Sequence, residues 1–213
     1  MQKTAPTIVV LISGRGSNLQ ALIDHANATG AYRLAAVISN RPQAGGLALA
    51  AQAGIPTQVL DHTAFEGRDA FDEALAALVD QHKPDWVVLA GFMRILTEGF
   101  VHHFQGRLVN VHPSLLPAFP GLKTHQQALD AGVRVHGVTV HLVTAQLDHG
   151  PIVDQAVVPV LPGDTADTLA QRVLTLEHVI YPRAVAALAS GQVRWVDGRM
   201  QGVFDTQLVH ALP

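Results

Sequence analysis

The stretch TIVVLISGRGSNLQALIDHA, residues 7–26, decides the fold class. It opens with a continuous apolar run, Ile8–Ile12, rich in β-branched side chains, which is typical of a parallel strand covered on both faces. A glycine-rich turn follows, and Leu19, Leu22 and Ile23 then recur at helical spacing. Strand, glycine turn and helix in this order predict the first unit of an α/β sheet.

The same alternation continues along the chain. Further strands are predicted at Leu34–Asn40, Ile55–Leu60, Trp86–Ala90 and Arg107–Val111, and helices at Gly46–Gly54 and Ala70–Gln81. After a proline-rich loop over Val111–Gly121, the pattern predicts a helix at Thr124–Ala131, strands at Val135–Val143 and Ile152–Val160, and a long helix at Asp164–Ala189. We therefore expect an α/β fold: a mostly parallel, Rossmann-like sheet with helices on both faces, followed by a C-terminal part with antiparallel strands and a long helix. One domain over residues 1–213 is the simplest account, with a hairpin-bearing tail over residues 191–213 turning at Val196–Arg199.

Composition excludes several classes of protein. The 213 residues contain no cysteine, which excludes disulfides, zinc–thiolate sites and iron–sulfur clusters. The formal net charge is −3 and no basic block stands out, so we expect no nucleic-acid partner. We find neither a targeting segment nor an apolar run of about 20 residues, and we expect a cytoplasmic protein without a membrane partner.

The glycine turn, Ser13–Asn18, is a candidate anion site, because free N–H groups at a helix start attract negative charge. A capped turn with no ligand is the plain alternative. A dinucleotide fingerprint fits poorly, since Leu19 stands where a third glycine belongs and Ser39 and Asn40 stand where an acid for the ribose belongs. Arg41 could instead meet a 2′-phosphate, so an NADP-dependent oxidoreductase stays open. A single phosphate fits this turn better.

Asn110 and His112 are the candidate reacting pair. They lie two apart at the end of a predicted strand and so share one face of it. An amide can hold a developing oxyanion and an imidazole can carry a proton. Asp148 follows another predicted strand, and a carboxylate close to His112 would favour the charged imidazolium. Each motif alone has a structural alternative, a loop-satisfying Asn–His pair and a turn-forming Asp.

The twelve histidines raise the question of a metal. No H-x-x-x-H or H-E-x-x-H spacing occurs, and adjacent pairs such as His102 and His103 face apart. His136 and His141 are five apart on a predicted strand and should point to opposite faces. We therefore expect no metal.

Several segments in order along the chain carry a resemblance to a known family. They are IVVLISGRGSNLQALID, VISNRP, VVLAGFMRIL, GRLVNVHPSLLPAFPGLKTHQQAL, HGVTVHLV, LDHGPIV and TLEHVIYP, between about Ile8 and Pro182. The chain resembles the phosphoribosylglycinamide formyltransferase family, a branch of the folate formyltransferase superfamily that transfers a formyl group from 10-formyltetrahydrofolate to glycinamide ribonucleotide in purine synthesis.

The resemblance implies roles for particular residues. The catalytic set would be Asn110, His112 and Asp148, and the ribonucleotide-binding set would be Gly16, Ser17, Asn18 and Glu177. The folate would contact Arg68, Met93, Arg94, Ile95, Leu96, Asn110, Thr144, Ala145, Gln146, Leu147 and Asp148. The Leu116–Pro117 peptide bond would be cis. The N-terminal half, about 1–105, would bind the phosphate, and about 106–190 would bind the folate and carry the chemistry. Lys123 and His149 depart from the usual family pattern near the site.

Four alternatives stay open beside this interpretation. Methionyl-tRNA formyltransferase would want a basic C-terminal module, and formyltetrahydrofolate hydrolase an extra N-terminal domain. An NADP oxidoreductase and a non-catalytic folate- or nucleotide-binding module are the others. The resemblance implies small-molecule partners, the ribonucleotide and the formyl folate, and either a monomer or a homodimer.

Overall fold

The computed structural model of the protein describes residues 5–202. The strands of its main sheet are β1 (Thr7–Ile12), β2 (Arg33–Ser39), β3 (Thr57–Val59), β4 (Trp86–Leu89), β5 (Leu108–His112), β6 (Val135–Leu142) and β7 (Ile152–Pro159). The helices are α1 (Ser17–Thr29), α2 (Gly45–Gln52), α3 (Arg68–Asp80), α4 (Glu98–His103), α5 (Thr124–Asp130) and α6 (Ala166–Ser190), with a 3₁₀ turn at His62–Ala64. A separate hairpin, β8 (Arg194–Val196) and β9 (Arg199–Gln201), follows α6.

The main sheet has seven strands in the order β3-β2-β1-β4-β5-β6-β7. The pairs from β3 through β5 are parallel, whereas β6 pairs antiparallel with both β5 and β7. The predicted α/β class, parallel sheet and antiparallel C-terminal part are confirmed. The strand order reverses between β1 and β4, and open α/β sheets bind ligands beyond the carboxyl ends of the strands at such a point.

The core lies on both faces of the sheet. On one face, alternate residues of β1, β4 and β5, such as Val10 and Val109, pack against α1 and α6. On the other face, the intervening residues of the same strands, such as Leu11 and Leu108, pack against α3 and α4. The buried hydroxyl of Tyr181 on α6 lies 2.8 Å from the Leu89 carbonyl and 3.2 Å from that of Val109, which ties the long helix to β4 and β5. Helix packing on both faces therefore holds the carboxyl ends of these strands in place.

The short elements depart most from the expectations. The sequence did not predict helix α4, because its six residues, EGFVHH, are too few to show a helical period. The Thr97 hydroxyl caps the start of this helix. Strand β3 is only three residues long. The tail hairpin turns at Asp197 and Gly198, both with positive φ, as its sequence predicts; residues 203–213 of the predicted tail lie outside the described part. No helix within residues 5–202 has the length and apolar character needed to span a membrane.

Candidate active site

The glycine turn after β1 leads directly into α1. Gly16 precedes the helix with φ of 87°, in the left-handed region that favours glycine, and Ser17 begins the helix exposed to solvent. Within residues 5–202 no side chain caps this helix start. The first N–H groups of α1 are therefore available to a ligand, and the helix dipole favours an anion there.

A glycine at the start of α2, Gly46, lets the turn pack against that helix. A Cβ atom on Gly16 would lie 2.7 Å from the Cα of Gly46, and one on Gly46 would lie 2.7 Å from Cδ1 of Ile12. The starts of α1 and α2 thus touch through backbone, which side chains at these two positions would prevent. Nothing in the sequence indicated the role of Gly46, which only the packing of α2 against the turn identifies.

Glu177 on α6 reaches the same corner of the molecule. Its carboxylate accepts a hydrogen bond of 2.7 Å from Nδ2 of Asn18. Burial raises the pKa of Glu177, and the Asn18 hydrogen bond and the charge of His112 act in the opposite direction. The predicted ribonucleotide-binding residues Gly16, Ser17, Asn18 and Glu177 therefore form one group, and Glu177 lies close enough to His112 for their charges to interact.

Asn110, His112 and Asp148 converge at the carboxyl end of β5. Nδ1 of His112 lies 3.6 Å from the Asp148 carboxylate, and both side chains are 7% exposed. Asp148 adopts φ of 50° in the loop between β6 and β7, a conformation that Asp tolerates better than most residues. The three side chains expected at one centre thus lie together, although they come from two separate segments.

The proline-rich loop holds this centre from the other side. Nε2 of His112 donates a hydrogen bond of 3.1 Å to the Phe119 carbonyl, and the N–H of Gly121 donates one of 2.9 Å to Asp148. Both ring nitrogens of His112 therefore face oxygen acceptors. The Leu116–Pro117 bond within the loop is cis, as the resemblance implies.

His141 joins this centre, although the sequence raises it only as a metal ligand and its spacing from His136 argues against that role. Strand pairing sets it opposite Asn110. Its Nε2 lies 3.2 Å from Nδ2 of Asn110 and 3.9 Å from the Asp148 carboxylate, and the side chain is 3% exposed. Burial lowers the pKa of His141, which outweighs the opposing effects of the Leu142 carbonyl and Asp148. Only the register between β5 and β6 could have identified this residue.

The structure shows why the LDHGP segment has a glycine at position 150. A Cβ atom there would lie 1.7 Å from the Leu142 carbonyl oxygen, so the loop after β6 packs with its backbone against the end of that strand. This close approach helps to bring Asp148 back over β5.

The predicted folate segments follow β4 and β6, the two strands that pair with β5. The N–H of Met93 donates to the Ser13 hydroxyl at 2.8 Å, which ties the loop after β4 to the end of β1. Met93 and Ile95 expose 65% and 56% of their surface, and Leu147 in the loop after β6 is also exposed. Leu96 packs against the same apolar cluster as Val143, which precedes that loop.

The remaining predicted folate residues are less constrained. The Arg94 guanidinium stacks 4.8 Å from the Phe71 ring centre. Thr144 donates to the Gln146 carbonyl within the loop, and Ala145 is exposed beside it. Arg68 begins α3, is exposed, and makes no side-chain hydrogen bond or ion pair within residues 5–202. The structure therefore does not join Arg68 to the other predicted residues.

A metal has no ready-made site in the described part of the chain. Among residues 5–202, no group of three or more His, Asp or Glu side chains is arranged to hold an ion.

Comparison with known proteins assigns the class. A family model described as formyl transferase matches residues 7–185, which is most of the chain. The chain belongs to the formyl transferase family and is an enzyme of that class.

Proteins similar to the chain indicate which branch of the family it resembles. The chain is 51% identical over 201 residues to the phosphoribosylglycinamide formyltransferase of Escherichia coli K12, covering 90% of this chain and 94% of the relative. It superimposes on a glycinamide ribonucleotide transformylase from Symbiobacterium toebii with a TM-score of 0.90, at 46% identity, over 95% of this chain and 96% of the other. A phosphoribosylglycinamide formyltransferase from Coxiella burnetii gives a TM-score of 0.89 at 45% identity, over 98% and 100% of the two chains. The alternative classes raised by the sequence are not favoured.

Proposed function

We propose that the protein transfers the formyl group of 10-formyltetrahydrofolate to the amine of glycinamide ribonucleotide, giving formylglycinamide ribonucleotide and tetrahydrofolate in purine synthesis. The names of its relatives support formyl transfer and the ribonucleotide acceptor, and the folate donor is consistent with the formyl transferase family. The observation that carries the proposal is the convergence of Asn110, His112 and Asp148, with His112 and Asp148 3.6 Å apart, next to an uncapped helix start.

The ribonucleotide binds at the start of α1. The N–H groups of Gly16, Ser17 and Asn18 donate to its phosphate, and the Ser17 hydroxyl adds a further donor. Glu177, held by Asn18 at 2.7 Å, accepts hydrogen bonds from the ribose hydroxyls. Glu177 lies close enough to His112 for their charges to interact, and we expect a substrate that contacts both residues to present its amine to the reacting centre.

The folate binds between the loops after β4 and β6. Met93 and Ile95 on one side and Leu147 on the other offer exposed apolar surface to a flat heterocycle. Arg94, Leu96 and the Thr144–Asp148 loop complete this wall. Arg68 stays a folate contact on the family resemblance alone, because the structure does not join it to this wall. The folate is a cosubstrate, and no metal takes part in the proposed reaction.

The reaction is an acyl transfer without a covalent enzyme intermediate. The amine attacks the formyl carbon on the folate N10, and a tetrahedral oxyanion develops. Asn110 donates a hydrogen bond to that oxygen, and protonated His112 donates one from Nδ1, which at 3.6 Å from Asp148 is beyond hydrogen-bond distance of that carboxylate. Collapse breaks the bond to N10, and the proton lost by the amine passes to N10 through Asp148 or a water that it holds. Holding the two substrates together supplies much of the acceleration.

The two halves of the single domain divide this work. Residues of about 1–105 provide most of the phosphate site, and about 106–190 provide the catalytic residues and much of the folate site. Glu177 is the exception, because it lies in the second half and binds Asn18 of the first.

One assay tests the proposal. The protein is mixed with a 10-formyl folate, with and without glycinamide ribonucleotide, and deformylation of the folate is followed by absorbance. Loss of the formyl group should require the ribonucleotide and match the formylglycinamide ribonucleotide formed. Equal deformylation without it would indicate a hydrolase, and no deformylation together with saturable binding of NADPH, seen by fluorescence, would indicate the oxidoreductase.

A further inference from the structure

The hydrogen bonds of His141 determine where its proton lies. Nδ1 is 3.0 Å from the Leu142 carbonyl oxygen, which can only accept, so Nδ1 carries a hydrogen. Burial lowers the pKa of the ring, so it is neutral and holds a single proton. Nε2 therefore has a lone pair and no hydrogen.

This proton position has a consequence for Asn110. The atom of its carboxamide that faces Nε2 at 3.2 Å must be a donor, and the NH₂ group is the only donor that it has. One of the two amide hydrogens is thus used by His141. The second lies on the same nitrogen and stays available to a substrate, because Asn110 is only partly buried.

We propose that His141 is a positioning residue that fixes the carboxamide of Asn110 with its NH₂ group toward the reacting centre. The proposal rests on the proposed function and assigns the orientation on which its oxyanion site depends. With the amide turned around, the Asn110 oxygen would face the developing oxyanion and repel it. A ring that can only accept at Nε2 disfavours that arrangement before the substrate binds, which is how preorganised donors act.

The loop after β6 holds in place the Leu142 carbonyl that accepts the hydrogen on Nδ1 of His141. The N–H of Leu142 donates to the Pro151 carbonyl at 2.9 Å, and Gly150 packs so closely on the Leu142 oxygen that a Cβ would lie 1.7 Å away. The chain of contacts runs from the loop after β6, through His141, to Asn110. The Asp148 carboxylate lies 3.9 Å from Nε2, beyond hydrogen-bond distance, and leaves that lone pair to the amide.

The first test reads the proton directly. Nitrogen-15 NMR of the whole wild-type protein, labelled at histidine and assigned by the loss of one signal pair in a His141→Gln variant, reports which ring nitrogen of His141 is protonated at pH 7.5. We expect a neutral ring with hydrogen on Nδ1 alone. A hydrogen on Nε2, in a neutral ring or an imidazolium, would overturn the proposal.

The second test asks whether Asn110 needs a hydrogen-bond acceptor at position 141 or only a side chain of similar size. In His141→Gln the side-chain oxygen reaches the place of Nε2 and can still accept from Asn110, whereas in His141→Asn the amide reaches only the place of Nδ1. We expect the Asn variant to lose about tenfold or more in kcat with KM for the ribonucleotide within about twofold, and the Gln variant to stay within about threefold of wild type in kcat. Equal losses in the two variants, or no loss in either, would contradict the positioning role.

Failure of this inference and failure of the proposed function are distinguishable. Wild-type protein that does not form formylglycinamide ribonucleotide would overturn the function, whatever the proton on His141. Active wild type with hydrogen on Nε2 would overturn only the positioning role. Thermal unfolding of both variants accompanies the kinetics, and if His141→Asn does not fold, the nitrogen assignment in the wild type decides.

Discussion

The phosphate corner (the proposed phosphate site of Gly16, Ser17, Asn18 and Glu177) and the reacting centre of Asn110, His112 and Asp148 are built in opposite ways. The corner depends on backbone: one turn between β1 and α1 supplies its donors, and glycines at positions 16 and 46 let two helix starts touch. The reacting centre depends on side chains from β5, β6 and the loop after β6, held by hydrogen bonds from the proline-rich loop. The first should therefore respond to changes of backbone shape, and the second to single polar atoms.

The largest effect should come from the reacting centre. Asp148→Asn keeps the size of the side chain but removes the charge beside His112, and it should lower kcat by at least about tenfold, as loss of acid–base assistance does. Steady-state kinetics at neutral pH measure this, with the exposed Asp130→Asn as the control. Near-normal kcat would remove Asp148 from the mechanism.

A change of backbone shape should have the next largest effect. Gly16→Ala must adopt φ of 87° and place a Cβ 2.7 Å from the Cα of Gly46, so we expect a loss of about 2 kcal/mol in unfolding free energy and weaker ribonucleotide binding. Gly14→Ala is the matched control, because no heavy atom of the described residues, its chain neighbours aside, lies within 4 Å of its Cβ position. Urea unfolding of the pair measures the difference, and equal stability would argue against a forced contact between α1 and α2.

A single polar atom at the phosphate corner should matter less than the backbone. Ser17→Ala removes one of several donors, and KM for the ribonucleotide should rise several-fold, roughly the worth of one hydrogen bond to a charged group, while KM for the folate changes little. Thr29→Ala, at the other end of α1, controls for effects on the helix. An effect confined to the folate would contradict the phosphate assignment.

The smallest effect concerns stability, and its size depends on pH. Burial raises the pKa of Glu177 in the folded protein, so its contribution is most favourable below the unfolded pKa of about 4.5 and is lost as pH rises through the higher folded value. Glu177→Gln should therefore be more stable than wild type at pH 7.5, by up to about 1 kcal/mol or roughly 2–4 °C in Tm, and the difference should shrink toward pH 4.5.

Thermal unfolding at several pH values measures this difference, with the exposed Glu73→Gln as the control. A gain that does not depend on pH would argue against charge burial as its cause. The same substitution should raise KM for the ribonucleotide, since a neutral amide accepts more weakly from hydroxyls than a carboxylate does.

The sequence predicted the larger elements because each carries its own periodicity. Residues 7–26 show strand, turn and helix without help from the rest of the chain, and Thr165 was recognisable near the start of α6. Helix α4 was not predicted because six residues are too few to show a helical period. Asn110 and His112 stood out as a pair two apart on one strand, whereas His141 had no local signal that set it apart from the other histidines.

By itself, the sequence determined the α/β class, the glycine turn and the motifs that carry the family resemblance, because these depend on neighbours along the chain. Only the tertiary structure decided which polar groups meet. The antiparallel register of β5 and β6 sets His141 against Asn110, and the loops around Gly121 and Gly150 bring Asp148 to His112. His141 and Asn110 are 31 positions apart in the chain, and Asp148 and His112 are separated by a similar length, so these contacts exist only once the packed sheet brings its separate strands together.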